Sequence, residues 1–376
     1  MTKDRFTVNP FPDVRVSDLD RQELINLVDI YVGDYVKKYE DFVVVEKRQV
    51  DKRRWEHVKS KAKMNVYAER TRKDLSRRGI EPGNSLSATQ RVQATSFSKD
   101  LPVVMSLGTF VGELDDLMLG VMSPTLDDMR VKDTYLHDVD DAAVLCQVVV
   151  PSREDPFRSV VVKWMAINMP LQSTNLVKSR DFVFIEATGI TYLANGDRVG
   201  YQLLHSIEFP QTKPLLNKIR GNLSIFSCFR RKRRDVIENF AWGIVDPGGE
   251  IMRPLVVPVA ANLLLSGPSY VYCGQMKKLS WLLQRHHSAF DRPEAETKQK
   301  KPCVVCGKKT NYAMRSIGKS SCKICYGSVC YSCKIRQRIT YIPLDGLLLR
   351  RKIVICARCM LEATHWNAQE AARDQE

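Results

Sequence analysis

The sequence predicts an α+β protein with a large antiparallel sheet, a long helix that closes the domain, and a small cysteine-rich module after it. Three observations support this. Apolar runs of strand length follow one another between residues 143 and 250, with no helical pattern alternating between them. A long amphipathic segment at 267–290 has helical spacing. Eight of the eleven cysteines lie between positions 303 and 359.

The composition is that of a globular protein. The chain has 376 residues, of which 44% are hydrophobic and 27% charged, which suits about two or three domains. The longest apolar stretch, residues 254–265, contains two prolines and is shorter than a membrane-spanning helix. Because the first residues lack the apolar core of a secretory signal, we expect a cytoplasmic protein. Peripheral association with endomembranes is compatible with this expectation.

The chain is basic, with a formal net charge of +15. Such a charge suits anionic membranes or nucleic acid and does not by itself choose between them. The densest basic run is FRRKRRD at 229–235, with five consecutive Lys or Arg residues. A phosphate-binding or nuclear-targeting patch and a solvated loop between strands both fit this run, and we favour the loop. Few aromatic residues accompany it, so a nucleic-acid partner is the weakest of the alternatives.

The first predicted elements are an irregular arm at 1–17 and a helix that Asp18 or Asp20 caps. The apolar residues that recur at helical spacing in it are Leu24, Leu27, Val28, Tyr31 and Tyr35. These residues predict that one face of the first helix is buried.

The next segments predict a strand at 64–70, where apolar and polar residues alternate, and a loop at 74–92, where polar residues, two glycines and a proline accumulate. Residues 109–122 predict a helix with Thr109 as its cap. The later apolar runs predict strands at 143–151, 159–168, 180–192, 200–209 and 234–250.

A turn and a final helix complete the large domain. The tripeptide Asn195-Gly196-Asp197 predicts a tight turn, which makes the strands on either side an antiparallel hairpin. The closing helix at 267–290 follows. Its predicted buried face consists of Val271, Met276, Leu279, Leu282 and Leu283.

Two segments of this domain resemble the START lipid-transfer family: WEHVKSKAKMNVY at 55–67 and the strand–turn–strand segment at 179–210. The resemblance implies a helix-grip fold, in which a curved antiparallel sheet wraps the C-terminal helix around an apolar tunnel. It makes Arg180 a candidate pocket residue. Because adjacent strand residues point to opposite faces of a sheet, at most one of Arg180 and Asp181 faces the pocket. A lipid tunnel and a filled core both fit the apolar strands.

The cysteines form four C-x2-C pairs separated by fifteen, four and twenty-two residues. In a reducing compartment such pairs indicate metal ligands rather than disulfides, and zinc takes four thiolates in a tetrahedron. The short central spacer disfavours one ion shared by the second and third pairs. An interleaved arrangement of two closed, structural zinc sites fits better: Cys303, Cys306, Cys330 and Cys333 on one ion, and Cys322, Cys325, Cys356 and Cys359 on the other.

The segments at 322–333 and 352–363 resemble the FYVE zinc finger. That family binds phosphatidylinositol 3-phosphate through a basic motif around its third cysteine. Here serines replace the two histidines and a glycine replaces the leading arginine of that motif, so the resemblance implies weak, unselective contact with anionic lipid. The candidate contacts are Lys319, Ser320, Ser321 and Lys323.

Together these features resemble oomycete START/FYVE-like proteins. The resemblance implies a non-enzymatic lipid-binding or adaptor protein, with an apolar ligand in the large domain and a zinc finger that docks to an endomembrane or a protein. The alternative is a Rab-effector-like scaffold that binds a small GTPase and carries no lipid. No histidine spacing indicates a catalytic site. The expected divisions are the START-like domain at 18–290, a linker at 291–301, the finger at 302–366 and a tail at 367–376.

Overall fold

The structure, a computed structural model, describes residues 6, 9–81, 103–136, 139–167, 178–249, 253–289, 302–308, 321–343 and 345–374. The helices are α1 Asp18–Val44, α2 Arg72–Arg77, α3 Leu114–Val121, α4 Leu126–Leu136, α5 Arg253–Leu264, α6 Gly267–Ala289, α7 Ala357–His365 and α8 Ala368–Arg373. The strands are β1 Trp55–Lys61, β2 Lys63–Glu69, β3 Val103–Val111, β4 Asp141–Val149, β5 Ser159–Ile167, β6 Ser179–Tyr192, β7 Arg198–Ser206, β8 Lys218–Arg220, β9 Asn222–Arg233, β10 Val236–Asp246, β11 Lys334–Tyr341 and β12 Leu349–Cys356. The predicted linker at 291–301 lies outside the described residues.

A large sheet in the order β1-β2-β3-β10-β9-β7-β6-β5-β4 forms the centre of the molecule. Its neighbouring strands on this path are antiparallel, and the short β8 pairs in parallel with β6. The predicted turn at Asn195-Gly196-Asp197 joins β6 to β7 as a hairpin. The predicted fold class, α+β with a large antiparallel sheet, a closing helix and a small module with two cysteine clusters, is confirmed.

Helix α1 covers one face of the sheet. Its N-cap is Ser17, whose hydroxyl accepts from the Asp20 backbone while the Asp20 carboxylate accepts from the Ser17 backbone. Asp20 is therefore the second half of a capping box rather than the cap itself. Tyr35 stacks on Phe226 of β9 at a centroid distance of 4.9 Å, so aromatic packing fixes the helix on the sheet.

Helices α3, α5 and α6 cover the other face. All five residues predicted for the buried face of α6 are buried. The helices α3 and α6 cross in backbone contact at Gly120 and Gly274, because a Cβ on Gly274 would overlap the Asp116 carbonyl oxygen and one on Gly120 would overlap the Tyr270 carbonyl oxygen. No single described helix is long and apolar enough to cross a membrane; the bent pair α5–α6 passes only by length and composition.

Several local predictions differ from the structure. Thr109 is not a helix cap, because β3 continues through it and pairs it with Lys63 of β2 and Glu238 of β10. The helix α3 begins later, after Glu113. Residues 74–77 of the predicted loop belong to α2, which Thr71 caps. The basic run at 229–235 is mostly strand, since β9 continues to Arg233.

The cysteine module packs on the large domain. Its strand β11 lies against α6 and α4, α7 lies against α6, and α8 lies against both α6 and α3. The Thr340 hydroxyl is 2.8 Å from the Thr134 hydroxyl, and the Thr340 backbone donates to the Tyr135 hydroxyl. Buried cysteines of the module belong to the same core cluster as Leu279 of α6. One hydrophobic core therefore spans both parts.

The glycine crossing gives a test with a control in the same protein. We expect Gly274→Ala to lower the free energy of unfolding by about 3 kcal/mol or more, because the added carbon forces two helix backbones apart. Gly33 lies on the exposed side of α1 with no atom near a built Cβ. Gly33→Ala should therefore raise stability by about 0.5–1 kcal/mol. Urea unfolding of both variants measures this, and equal effects would contradict the crossing.

Candidate ligand cavity and metal centres

The eight module cysteines form two clusters. Within each cluster the four sulfur atoms lie within 4.8 Å of one another. One cluster contains Cys303, Cys306, Cys330 and Cys333, and the other contains Cys322, Cys325, Cys356 and Cys359. This is the interleaved grouping that the spacing predicts.

The sulfur geometry fits zinc. The Cys306 and Cys330 sulfurs are 3.6 Å apart, and the Cys325 and Cys356 sulfurs are 3.9 Å apart. A tetrahedron with Zn–S bonds of about 2.3 Å has edges of about 3.8 Å. A disulfide would need about 2.05 Å. Four thiolates around one point leave no open coordination position, so such sites are structural.

Local backbone geometry turns the cysteine side chains inward. In two of the four C-x2-C pairs, the residue after the second cysteine has a left-handed backbone conformation. These residues are Gly307, with φ 70°, and Tyr326, with φ 55°. Cys356 caps α7, and its sulfur accepts from the Cys359 backbone at 3.4 Å. The Cys322 sulfur accepts from Ile324 at the same distance. Such N–H···S bonds offset part of the charge that four thiolates gather.

Of the four candidate anionic-lipid contacts, two are described. Ser321 forms an isolated bridge with Ser328, and the Lys323 backbone donates to the Val354 carbonyl of β12. Both side chains are partly exposed. Lys319 and Ser320 lie outside the described residues.

A cavity of about 110 Å3 lies between the sheet and helices α4, α5 and α6. Its walls are mostly apolar. The apolar side chains are Met129, Val139, Met165, Phe184, Leu204, Leu223, Ile225, Phe229, Leu263, Leu264 and the ring of Tyr270. The cavity occupies the place between sheet and closing helix where the sequence predicts a tunnel.

Polar groups gather at one part of this cavity. Lys163 of β5 is fully buried, forms an ion pair with Glu186 of β6, and donates to the Ser123 hydroxyl at 2.9 Å. Glu186 also accepts from Gln202 at 2.7 Å and lies 3.4 Å from the Lys132 ammonium group. A fully satisfied network of this kind is rigid and presents fixed hydrogen-bonding groups to the cavity.

Both members of the ion pair are ionised at neutral pH. Burial lowers the pKa of Lys163 to about 8, although Glu186 opposes that shift. Burial raises the pKa of Glu186, but the Lys132 and Lys163 ammonium groups outweigh it and hold the value at about 2. The cavity therefore contains a permanent dipole within an apolar wall.

Arg180 does not reach this cavity. It shares the cavity-facing side of β6 with Phe184 and Glu186, but its guanidinium donates to the Pro247 and Lys178 carbonyls at the end of the strand. Asp181 lies on the opposite face and binds Arg220 and the Trp164 indole.

Lys163 and Glu186 are the site residues that the sequence analysis missed. Each is a lone charged residue inside an apolar strand run, VVVKWMA and VFIEATG. A strand buried on both faces must pair such a charge. That rule signals both residues, although it does not say that they pair with each other.

No protein-family model and no curated protein matches the chain. Similar solved structures include human STARD10, with 13% identity over 67% of this chain and 84% of that one and a TM-score of 0.40. Human StAR-related lipid transfer protein 5 has 10% identity over 68% and 97%, with a TM-score of 0.42. A lipid transfer protein fragment from Xanthomonas axonopodis has 14% identity over 58% and 99%, with a TM-score of 0.38. Because the TM-scores are below 0.5, these similarities assign no ligand to this chain.

Zinc content tests the two clusters separately. We expect two equivalents in the unaltered protein and about one in each of Cys306→Ser and Cys325→Ser, because each variant breaks one four-sulfur set. Cys146→Ser is the control, since Cys146 lies on β4 and belongs to neither set. Elemental analysis by mass spectrometry measures the metal. Two equivalents in all three variants, or disulfides in the unaltered protein, would contradict the assignment.

The buried lysine gives a pH test. The pKa of Lys163 is about 8 in the folded protein, whereas the ordinary lysine pKa is 10.5. Between pH 8 and 10.5 the Lys163 side chain is protonated in the unfolded chain and mostly neutral in the folded protein. The free energy of unfolding that Lys163 contributes therefore increases as the pH rises. Relative to Lys163→Met, the unaltered protein should gain about 2 kcal/mol of unfolding free energy between pH 7.5 and 10. A constant difference in urea unfolding at the two pH values would contradict the shift.

Proposed function

We propose that the protein is a non-enzymatic lipid-binding protein whose large domain holds an amphipathic ligand. The observation that carries this proposal is the cavity, which has apolar walls and the Lys163–Glu186 network at one part. In this proposal the network, with Ser123 and Gln202, binds the hydrogen-bonding head of the ligand. The apolar walls hold its body by burying surface, at roughly 25 cal/mol per Å2.

The zinc module has a structural role in this proposal. Two closed four-thiolate sites supply folding free energy on the order of 10 kcal/mol to a segment with little core of its own. The module would also dock to an anionic membrane or a protein partner, with Ser321 and Lys323 as partly exposed contacts. In this proposal the large domain and the zinc module would both act on the cytoplasmic side of a membrane.

The small volume of the cavity favours the alternative function, a scaffold protein that carries no lipid. About 110 Å3 is less than the roughly 300 Å3 of small ligand pockets. A lipid would therefore have to move side chains or the α4 and α5 helices as it enters. A scaffold protein that carries no lipid would need no such movement, and it is the second candidate.

A cavity-filling variant separates the two. Ser227 of β9 lines the cavity, so Ser227→Phe places a ring inside it. We expect this variant to bind a fluorescent fatty acid at least tenfold more weakly than the unaltered protein. Ser76→Phe, on the exposed side of α2, is the matched control and should bind normally.

Native mass spectrometry of protein from two expression hosts completes the test. The lipid-binding proposal predicts a co-eluting lipid in the unaltered protein and in Ser76→Phe, and its loss in Ser227→Phe. A protein that is empty from both hosts and binds no fatty acid would support the scaffold instead.

A further inference from the structure

One edge of the large sheet carries exposed basic residues from two separate hairpins. The turn between β1 and β2 presents Lys61 and Lys63, and the turn between β9 and β10 presents Lys232, Arg233 and Arg234. The register places these turns at the same edge, because Lys63 pairs with Thr109, Thr109 with Glu238, and Glu238 with Arg230. We call this surface the basic edge.

The basic edge is compact. Four strands at about 4.8 Å spacing put Lys63 and the β9–β10 hairpin within about 15 Å of each other. Arg230, the first basic residue of the run, does not contribute, since Asp197 and Glu238 each pair with it at 2.8 Å. Within the described residues, the exposed part of this hairpin has an ion pair between Arg234 and Asp235 at 3.9 Å, which is a weak surface contact.

An apolar residue lies between the two hairpins. Val111, the last residue of β3, is 76% exposed and pairs with Val236 at the base of the β9–β10 turn. The groove that Val111 lines contains Arg231 and Arg234 together with the carboxylates Glu113 and Asp235. An exposed valine next to the basic turns fits the interface of a bilayer, where the apolar group enters and the exposed cations meet lipid phosphates. Aromatic side chains that could stack on bases are absent from the two turns, 61–63 and 231–235, so nucleic acid fits less well.

The cavity approaches this edge. Phe229 and Asn239 line the cavity and pair with each other on β9 and β10. Arg231 follows Phe229 by two residues, which places it about 7 Å nearer the edge on the same strand. Gly267, another lining residue, packs on Phe110, the neighbour of Val111.

We propose that the basic edge docks the large domain on anionic membranes and brings one side of the ligand cavity to the bilayer. The purpose of docking rests on the proposed function, but the basic edge is present whether or not the cavity holds a lipid. Recognition is electrostatic, with an apolar contribution from Val111. The lipid phosphate and carboxylate charges are bound without selectivity for one headgroup.

The test compares two double variants of the full chain. Lys232→Gln/Arg233→Gln removes two charges from the basic edge. Lys52→Gln/Lys73→Gln removes two exposed charges near the opposite end of the β1–β2 hairpin. Each basic residue near an anionic surface contributes about a fivefold change in partitioning. In flotation with phosphatidylcholine vesicles containing phosphatidylserine, at low salt, the first variant should bind about 30-fold more weakly. The control should bind like the unaltered protein.

Further measurements isolate the mechanism. Pure phosphatidylcholine vesicles and high salt should abolish most binding, and Val111→Asp should weaken it with the hairpin charges intact. Unchanged binding by the hairpin variant, or an equal loss in the control, would overturn the proposal. Tighter binding to duplex DNA than to vesicles, lost in the hairpin variant, would assign the edge to nucleic acid instead.

Membrane docking and lipid cargo are tested separately. Native mass spectrometry of the hairpin variant should show the same co-eluting lipid as the unaltered protein. A protein that carries no lipid but still binds anionic vesicles would contradict the proposed lipid cargo and would support membrane docking by the basic edge.

Discussion

The packing of the cysteine module on the large domain depends on the ammonium group of Lys278, which joins the long helix α6 to α3 and to the end of α7. It is buried and lies 2.6 Å from the Asp116 carboxylate of α3. It also donates to the Thr364 and Trp366 carbonyls at the end of α7, at 3.1 and 3.0 Å. Burial raises the pKa of Asp116 while Lys278 opposes that shift. Removing either partner would leave an uncompensated buried charge, so the three elements are mutually dependent.

This junction links the two cysteine clusters to the cavity through α6. The start of α6 borders the cavity at Gly267 and Tyr270. Its later turns contact the module, where the Trp281 and Trp366 rings meet edge to face at 5.8 Å. The Trp281 indole also donates to Asp374 after α8. A module that forms part of the main core is a support for the closing helix, and this role is compatible with docking by its exposed parts.

Some of this architecture could be predicted from the sequence and some could not. The cysteine grouping and the closing helix follow from short spacings, because a C-x2-C knuckle and a helical face are local. The strand β9 was missed because its end is a run of arginines and lysines, and only pairing with β10 keeps Arg231 and Arg233 in a sheet. The helix α5 contains Pro258, which argues against a helix locally. The Lys163–Glu186 pair and the Lys278 junction join distant segments, which no local pattern specifies.

Helix α6 shares its buried core with the cysteine module, so we expect the two to unfold as one cooperative unit. Amide hydrogen exchange before and after removal of metal by a chelator measures this directly. We predict that protection is lost at Met276–Leu283 of α6 together with β11 and β12, while α1 keeps its protection. Loss confined to the module, with α6 protected as before, would contradict it.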